Sequence, residues 1–305
     1  MISICIPTYN YNVEKLVTDL SLQCKAAAVD FEIIVLEDGS DENHVAENKS
    51  IENIAGAKHV INSENFGRSI TRNTLADMAK GDKLIFIDCD SEIPDSQYIT
   101  RYLEHSDYDV VCGGTTYKET QYSPEISLRY TFGTKVEKTL GSQRNQAPYS
   151  AFTTNNMMVS KKVFEKIRFC ESLRKYGHED SLFGFDLQEN HIQILHIDNP
   201  VIHKGIESNE IFLAKTKAGI ENLVTISKLE NISPKFLENI RVYRTYTKLK
   251  RMKIAWTARI NFRIFKRVLE KHLIKSKRPK LLLFNIYKLG YLCNIATAIE
   301  NPNKN

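Results

Sequence analysis

Two carboxylates one residue apart, Asp88 and Asp90, follow the apolar run Leu84-Ile85-Phe86-Ile87. Carboxylate oxygens held at the end of a rigid element suit a hard divalent cation that also carries phosphate oxygens. The plainer alternative is a solvated turn, because Asp is common in turns. Three further polar clusters follow apolar runs in the same way: Pro7-Thr8-Tyr9-Asn10, Glu37-Asp38-Gly39-Ser40 and Asn65-Phe66-Gly67-Arg68. Any one of them is a turn; four at strand ends make a pocket with hydrogen-bonding groups and negative charge. Later in the chain Glu179-Asp180 open a helical stretch, where carboxylates are favourable dipole partners whatever else they do. His203 follows the apolar pair Val201-Ile202, and such a histidine has equal claims as ligand and as packing residue.

The elements that must position these groups alternate. Ile2–Ile6, 31–36, 58–61, 83–87 and 109–112 read as strands, the fourth buried on both faces. Between them, 12–24 reads as a helix capped by Asn12, 42–54 as a polar helix and 69–79 as a third. Strands separated by ten to thirteen helical residues imply crossover units and a mostly parallel sheet flanked by helices. In such open sheets ligands bind in the crevice beyond the carboxyl ends of the strands. After Gly113-Gly114 the rhythm breaks: 115–150 is polar with one helix expected at 125–140, 153–160 is a strand, and 161–167 and 176–187 are helices. Residues 192–197 and 200–203 read as the last strands, and everything beyond Glu207 has a helical pattern. Asn155 and Asn156 either reach into the crevice or simply end a turn. No Gly-x-Gly-x-x-Gly follows the first strand and no Gly-x-x-x-x-Gly-Lys-Ser/Thr occurs, which disfavours dinucleotide-binding and P-loop sites.

In order along residues 1–205, the chain carries Ile4-Cys5-Ile6-Pro7-Thr8-Tyr9-Asn10, Leu36-Glu37-Asp38-Gly39-Ser40-Asp41, Asn65-Phe66-Gly67, Arg72-Asn73, Lys80-Gly81-Asp82 and Phe86-Ile87-Asp88-Cys89-Asp90-Ser91. Gly177-His178-Glu179-Asp180 completes the set. This ordered set resembles a bacterial-type, non-processive family 2 glycosyltransferase of the GT-A fold, and the set is far more specific than any one motif. The resemblance implies an inverting, metal-dependent transfer from a UDP-sugar to a hydroxyl of a glycan or glycolipid acceptor in cell-envelope polysaccharide synthesis. It implies that Pro7, Thr8, Tyr9 and Asp38 line the uracil pocket, and that Asn65, Gly67 and Arg72 surround base, ribose and diphosphate. Asp88 would contact ribose, with Cys89 beside it, and Asp90 would hold Mn²⁺ or Mg²⁺ against the diphosphate, with His203 as second ligand. Asp180 would be the general base and Glu179 a hydrogen-bond partner of the acceptor. Glu37 departs from the family, which usually has Asp there. The Gln-x-x-Arg-Trp signature of processive synthases is absent, so single-sugar transfer is expected. A nucleotidyltransferase of similar fold is the nearest alternative, although its Gly-rich first loop and Lys are missing.

Composition sets the remaining bounds. The chain has 305 residues, 42% of them hydrophobic, and a net charge of +5. Its size allows a catalytic domain over 1–206, with nucleotide-sugar-binding (1–114) and acceptor-binding (115–206) halves, and a helical extension over 207–305. The six cysteines form no Cys-x-x-Cys pair, and the first strand begins at Ile2, so reduced thiols and a cytoplasmic location are expected. No apolar run is long enough to span a bilayer. Charge is unevenly distributed: 241–280 holds 15 Lys or Arg against the single acid Glu270, with Tyr243, Tyr246, Trp256, Phe262 and Phe265 interleaved. Together with the apolar segment 281–299, this pattern suggests an interfacial helix pair that holds the enzyme peripherally on the anionic inner face of the cell membrane. The alternatives are a helical cap with solvated charges and, from another functional class, a nucleic-acid grip, which is not expected here.

Overall fold

The computed structural model describes residues 1–173, 176–230 and 232–300, with side chains through Ala296; the last five residues of the basic extension, 301–305, lie outside the described residues. The chain divides into two compact units. The first comprises Met1–Tyr117, Val136–Arg174 and Glu179–Gly205, and the second Lys118–Lys135, Lys175–His178 and Ile206–Asn305.

The first unit is built on ten strands: β1 (Ile2–Thr8), β2 (Phe31–Asp38), β3 (Ala57–Asn62), β4 (Lys83–Ile87), β5 (Ser91–Glu92), β6 (Val110–Cys112), β7 (Thr115–Thr116), β8 (Asn156–Ser160), β9 (Ile194–His196) and β10 (Val201–His203). Seven of them form one sheet in the order β3-β2-β1-β4-β8-β6-β9. Every pairing is parallel except those of β8, which runs antiparallel to both β4 and β6. The central strands are apolar throughout because both faces are covered. On one face Ile4, Ile33, Val35 and Ile85 pack under α1 (Glu14–Ala26); on the other Cys5, Ile34, Leu36 and Phe86 pack under α3 (Arg68–Met78). Each fully buried aliphatic side chain contributes about 1.5–3 kcal/mol of apolar transfer.

Several boundaries differ from expectation for local reasons. Asn12 accepts from the Glu14 amide at 3.1 Å, yet Val13 occupies the boundary position of α1. The stretch 42–54 becomes α2 (Glu42–Asn48) and a 3-10 turn at Lys49–Asn53, because Asn48 turns inward to bond Tyr11, Val13 and Glu37. A short helix, α4 (Tyr98–Leu103), follows β5. The helix expected at 125–140 is broken into a turn at Pro124–Ile126, α5 (Ser127–Phe132) and a π turn at Gly133–Glu137, where Gly133 and β-branched residues disfavour a continuous helix. The expected strand at 153–160 begins only at Asn156, whose side chain lies fully inside the unit. It accepts from the hydroxyls of Tyr98 and Tyr102 and donates to the carbonyls of Gly114 and Asn199. Asn156 therefore joins β8 to its surroundings and does not face the crevice, while Asn155 donates to Thr115 Oγ1 at 2.8 Å.

The remaining helices of this unit are α6 (Gly141–Arg144), α7 (Lys161–Lys166) and α8 (Glu179–Glu189). The second unit packs α5 with α9 (Asn209–Ile226), α10 (Pro234–Asn239), α11 (Arg241–Arg251), α12 (Ala255–Lys275) and α13 (Leu281–Glu300). Its core gathers Leu128, Leu213, Phe262, Leu273, Phe284 and Tyr287. Asn209 ties the unit together, accepting from the Leu128 amide and donating to the carbonyls of Pro124 and Ile274. Among the described residues no helix is long and apolar enough to cross a membrane.

Candidate active site

The carboxyl ends of β1, β2 and β4 bring three of the polar clusters to one edge of the sheet. Thr8 is buried beneath that edge and Tyr9 is exposed on it, and Asn10, at φ 48°, accepts from the Asp41 amide through Oδ1. That bond ties the loop after β1 to the loop after β2, while Pro7 remains half-buried in the strand. Gly39 adopts φ 72°, and a Cβ there would lie 2.4 Å from the Asn65 amide nitrogen. Only a glycine lets the two loops approach so closely.

Asp38 is buried and serves the neighbouring loop. Its Oδ1 accepts from the Phe66 amide and its Oδ2 from the Gly67 amide, both at 2.9 Å. Gly67, at φ 89°, starts α3, and Asn65 before it is exposed. Glu37 faces the interior of the unit: it accepts from Ser40 Oγ and Asn48 Nδ2 and lies 3.3 Å from His59 Nε2. A longer side chain than Asp reaches these three partners, which gives the Glu37 departure a structural cause.

Helix α3 then delivers Arg72. This guanidinium is 3% exposed and donates to Asp88 Oδ1 at 2.6 Å, yet its Nε and Nη1 have no hydrogen-bond partner. Unsatisfied buried donors on a fixed cation are costly unless a ligand completes them. At the start of α8, Glu179 is likewise buried with Oε2 unsatisfied, and Arg68 Nη1 stands 3.4 Å from its Oε1. Asp180 is half-buried and receives the hydroxyl of Thr154 on Oδ1 at 2.7 Å. Burial and the Glu179 charge push its pKa up to about 6, while Arg72 and the Thr154 bond pull it down. Burial, with Asp90 and Asp88 beside it, pushes the Cys89 thiol up to about 12, so Cys89 sits in the site as a neutral group.

Asp90 and His203 meet because β5 and β10 pair antiparallel, placing His203 opposite Ser91. Asp90 Oδ2 and His203 Nδ1 are 3.6 Å apart. Among the described residues no group of three or more His, Cys, Asp or Glu is arranged to hold a metal. One carboxylate and one imidazole nonetheless fit a Mn²⁺ or Mg²⁺ ion that takes its remaining oxygens from a diphosphate and water, the usual arrangement for such cations. An all-protein cage is not what this donor set builds.

Three residues that the sequence did not single out complete the site. Thr154 lies within what had read as a strand, and its buried hydroxyl has no pattern to reveal it. Arg68 had counted only as part of a polar turn. Gly205 packs directly on Asp90: a Cβ there would be 2.3 Å from Asp90 Oδ2. Its contact depends on β10 returning beside β5, which local sequence does not encode.

A mostly parallel sheet with acidic and polar groups at its carboxyl edge is the setting in which open α/β enzymes bind their ligands. The chain matches the family model described as glycosyl transferase family 2 over residues 3–168, and it belongs to that family. It is 31% identical over 116 residues to the undecaprenyl-phosphate 4-deoxy-4-formamido-L-arabinose transferase of Pseudomonas fluorescens (strain SBW25), a match covering 36% of this chain and 34% of that one. The chain spans about a third of the length of the curated relatives it matches. Among the solved structures that share its fold are two with bound nucleotides. S. aureus TarS 1–349 in complex with UDP is 18% identical with a TM-score of 0.51, covering 99% of this chain and 92% of that one. A mannosyltransferase of Pyrobaculum calidifontis in complex with GDP-Man and Mn²⁺ is 13% identical with a TM-score of 0.55, covering 99% and 87%.

Proposed function

We propose that this chain is an inverting glycosyltransferase that moves a sugar from a UDP-sugar to a hydroxyl of a glycan or glycolipid acceptor, in the synthesis of cell-envelope polysaccharide. The observation that carries the reading is Arg72, a buried guanidinium with two unsatisfied nitrogens, close enough to Asp180 to perturb its titration. The oxygens of a diphosphate supply acceptors for these two remaining donors and a counter-charge for the guanidinium. The UDP of the similar TarS structure and the undecaprenyl phosphate in the relative's name support the donor and acceptor classes.

In this reading Pro7, Thr8, Tyr9 and Asp38 border the base, with the Asp38-held turn of Asn65 and Gly67 next to it. Asp88, anchored by Arg72, faces the ribose beside Cys89. Asp90 and His203 would hold Mn²⁺ or Mg²⁺, which supplies Lewis-acid neutralisation of charge on the departing diphosphate. Asp180 accepts the acceptor hydroxyl proton as that oxygen forms its bond to the anomeric carbon. The bond from that carbon to the UDP oxygen breaks on the opposite face, so configuration inverts and UDP leaves with the bonding pair. Glu179 accepts a hydrogen bond from a second acceptor hydroxyl in this reading, which its buried, unsatisfied Oε2 supports. Free thiols at all six cysteines fit a cytoplasmic location, peripheral on the inner face of the cell membrane.

Turnover decides the matter. Incubation with a panel of UDP-sugars and GDP-mannose, with Mn²⁺ or with chelator, should release UDP only with metal, and Asp90→Ala and Asp180→Asn should lose at least about a thousandfold in rate. Full activity in both variants would overturn the site assignment, and turnover of GDP-mannose alone would overturn the donor.

A further inference from the structure

The second unit presents a face that nothing in the transfer reaction uses. Along α12, Trp256, Ile260, Ile264 and Val268 recur every fourth residue and are between 47% and 65% exposed. At 100° per residue this spacing makes a continuous apolar ridge. Arg263, Arg267, Lys271 and Lys275 recur at the same interval about a quarter-turn around the helix and are exposed as well. On the other flank Phe265 and Leu269 border an apolar groove of about 310 Å³, whose opposite wall is Ile286 and Leu289 of α13. Leu282, 70% exposed, extends the apolar surface toward the turn between the two helices, where Lys277, Arg278 and Lys280 are exposed.

We infer that this face docks on an anionic lipid surface, with α12 lying in the interface plane. Charge complementarity selects the occupant. The only acid between 241 and 280, Glu270, does not neutralise the face: it is bonded to Lys217 at 3.0 Å and to the Tyr287 hydroxyl at 2.7 Å. The cations on and around the ridge therefore meet no acidic neighbour from α12. The ridge itself is mostly branched aliphatic, chemistry that enters hydrocarbon; stacking nucleic-acid bases would need an aromatic platform. Lys and Arg beside a continuous apolar stripe are the arrangement by which an amphipathic helix binds lipid phosphates and acyl chains together. The inference rests on the second unit alone, so it can fail while the proposed transfer stands.

Trp256 is the only tryptophan of the chain and lies on the ridge, so its emission reads the face directly. The full chain is titrated with phosphatidylcholine vesicles, with and without phosphatidylglycerol, and with single-stranded RNA. Vesicles containing phosphatidylglycerol should blue-shift Trp256 and pellet the protein, and salt should reverse both effects. Ile264→Asp/Val268→Asp and Arg267→Glu/Lys271→Glu should each weaken binding about tenfold or more, with unchanged thermal melts because all four side chains are exposed. UDP release with a soluble acceptor should persist in both variants. Three results would overturn the inference: binding undiminished in both variants, a shift produced by RNA but not by vesicles, or a lipid-free dimer that Ile264→Asp/Val268→Asp dissolves.

Discussion

Replacing Thr154 with valine deletes one hydroxyl and almost nothing else. Thr154 is 1% exposed, and its Oγ1 donates to Asp180 Oδ1 at 2.7 Å. Burial and Glu179 raise the Asp180 pKa from 3.8 to about 6, and the Thr154 bond is among the contacts that hold it from rising further. A hydrogen bond to a charged group is worth about 1.5–3 kcal/mol. At about 1.4 kcal/mol per pKa unit, its loss raises Asp180 by about one to two units. The acid limb of kcat/KM reports the free enzyme, so it should move from near pH 6 to about pH 7–8 in Thr154→Val. Above that limb the variant should recover to within about threefold of wild type, because an ionised Asp180 is then restored. The assay is UDP release at subsaturating donor and acceptor across pH, with a thermal melt at each pH to exclude unfolding. A limb that coincides with wild type refutes the assignment of Asp180 as base, and a uniform loss at every pH shows that Thr154 only positions it.

Two other perturbations test the neighbouring parts of the site. Gly205→Ala puts a Cβ against Asp90 Oδ2, so the metal concentration for half-maximal UDP release should rise about 10–100-fold, as when a ligand's support is disturbed, while the melting temperature changes little. Asp180→Asn should abolish turnover yet raise the melting temperature at pH 8. A carboxyl whose folded pKa exceeds its unfolded value contributes stability that is present below its ordinary 3.8 and is lost as pH rises through about 6. Removing its charge should therefore return on the order of 3 kcal/mol at pH 8 and well under about 1 kcal/mol at pH 4; equal gains at both pH values would contradict the raised pKa.

The fold class and family were legible in the sequence because their signals are local. Alternating apolar strands and helical stretches, with polar clusters following the strands, imply a mostly parallel sheet with a crevice at one edge, and the structure has both. The breaks in expected elements came where tertiary partners outweighed local pattern. Asn48 ends α2 with its side chain turned inward to bond Val13 and Glu37, and Asn156 starts β8 three residues late because four buried partners surround it. Neither partner set is near in sequence.

Residue type and order along the chain determined the strands, the carboxylates at their ends and the basic, apolar-striped tail. Which carboxylate does what depended on three dimensions. Asp38 is engaged by the amides of Phe66 and Gly67, Asp88 by Arg72, Asp180 by Thr154, and Asp90 faces His203 across β5 and β10. All four are the same side chain, so sequence cannot rank them. Burial and hydrogen-bond partners distinguish them, and those are properties of neighbours brought together only when the sheet closes.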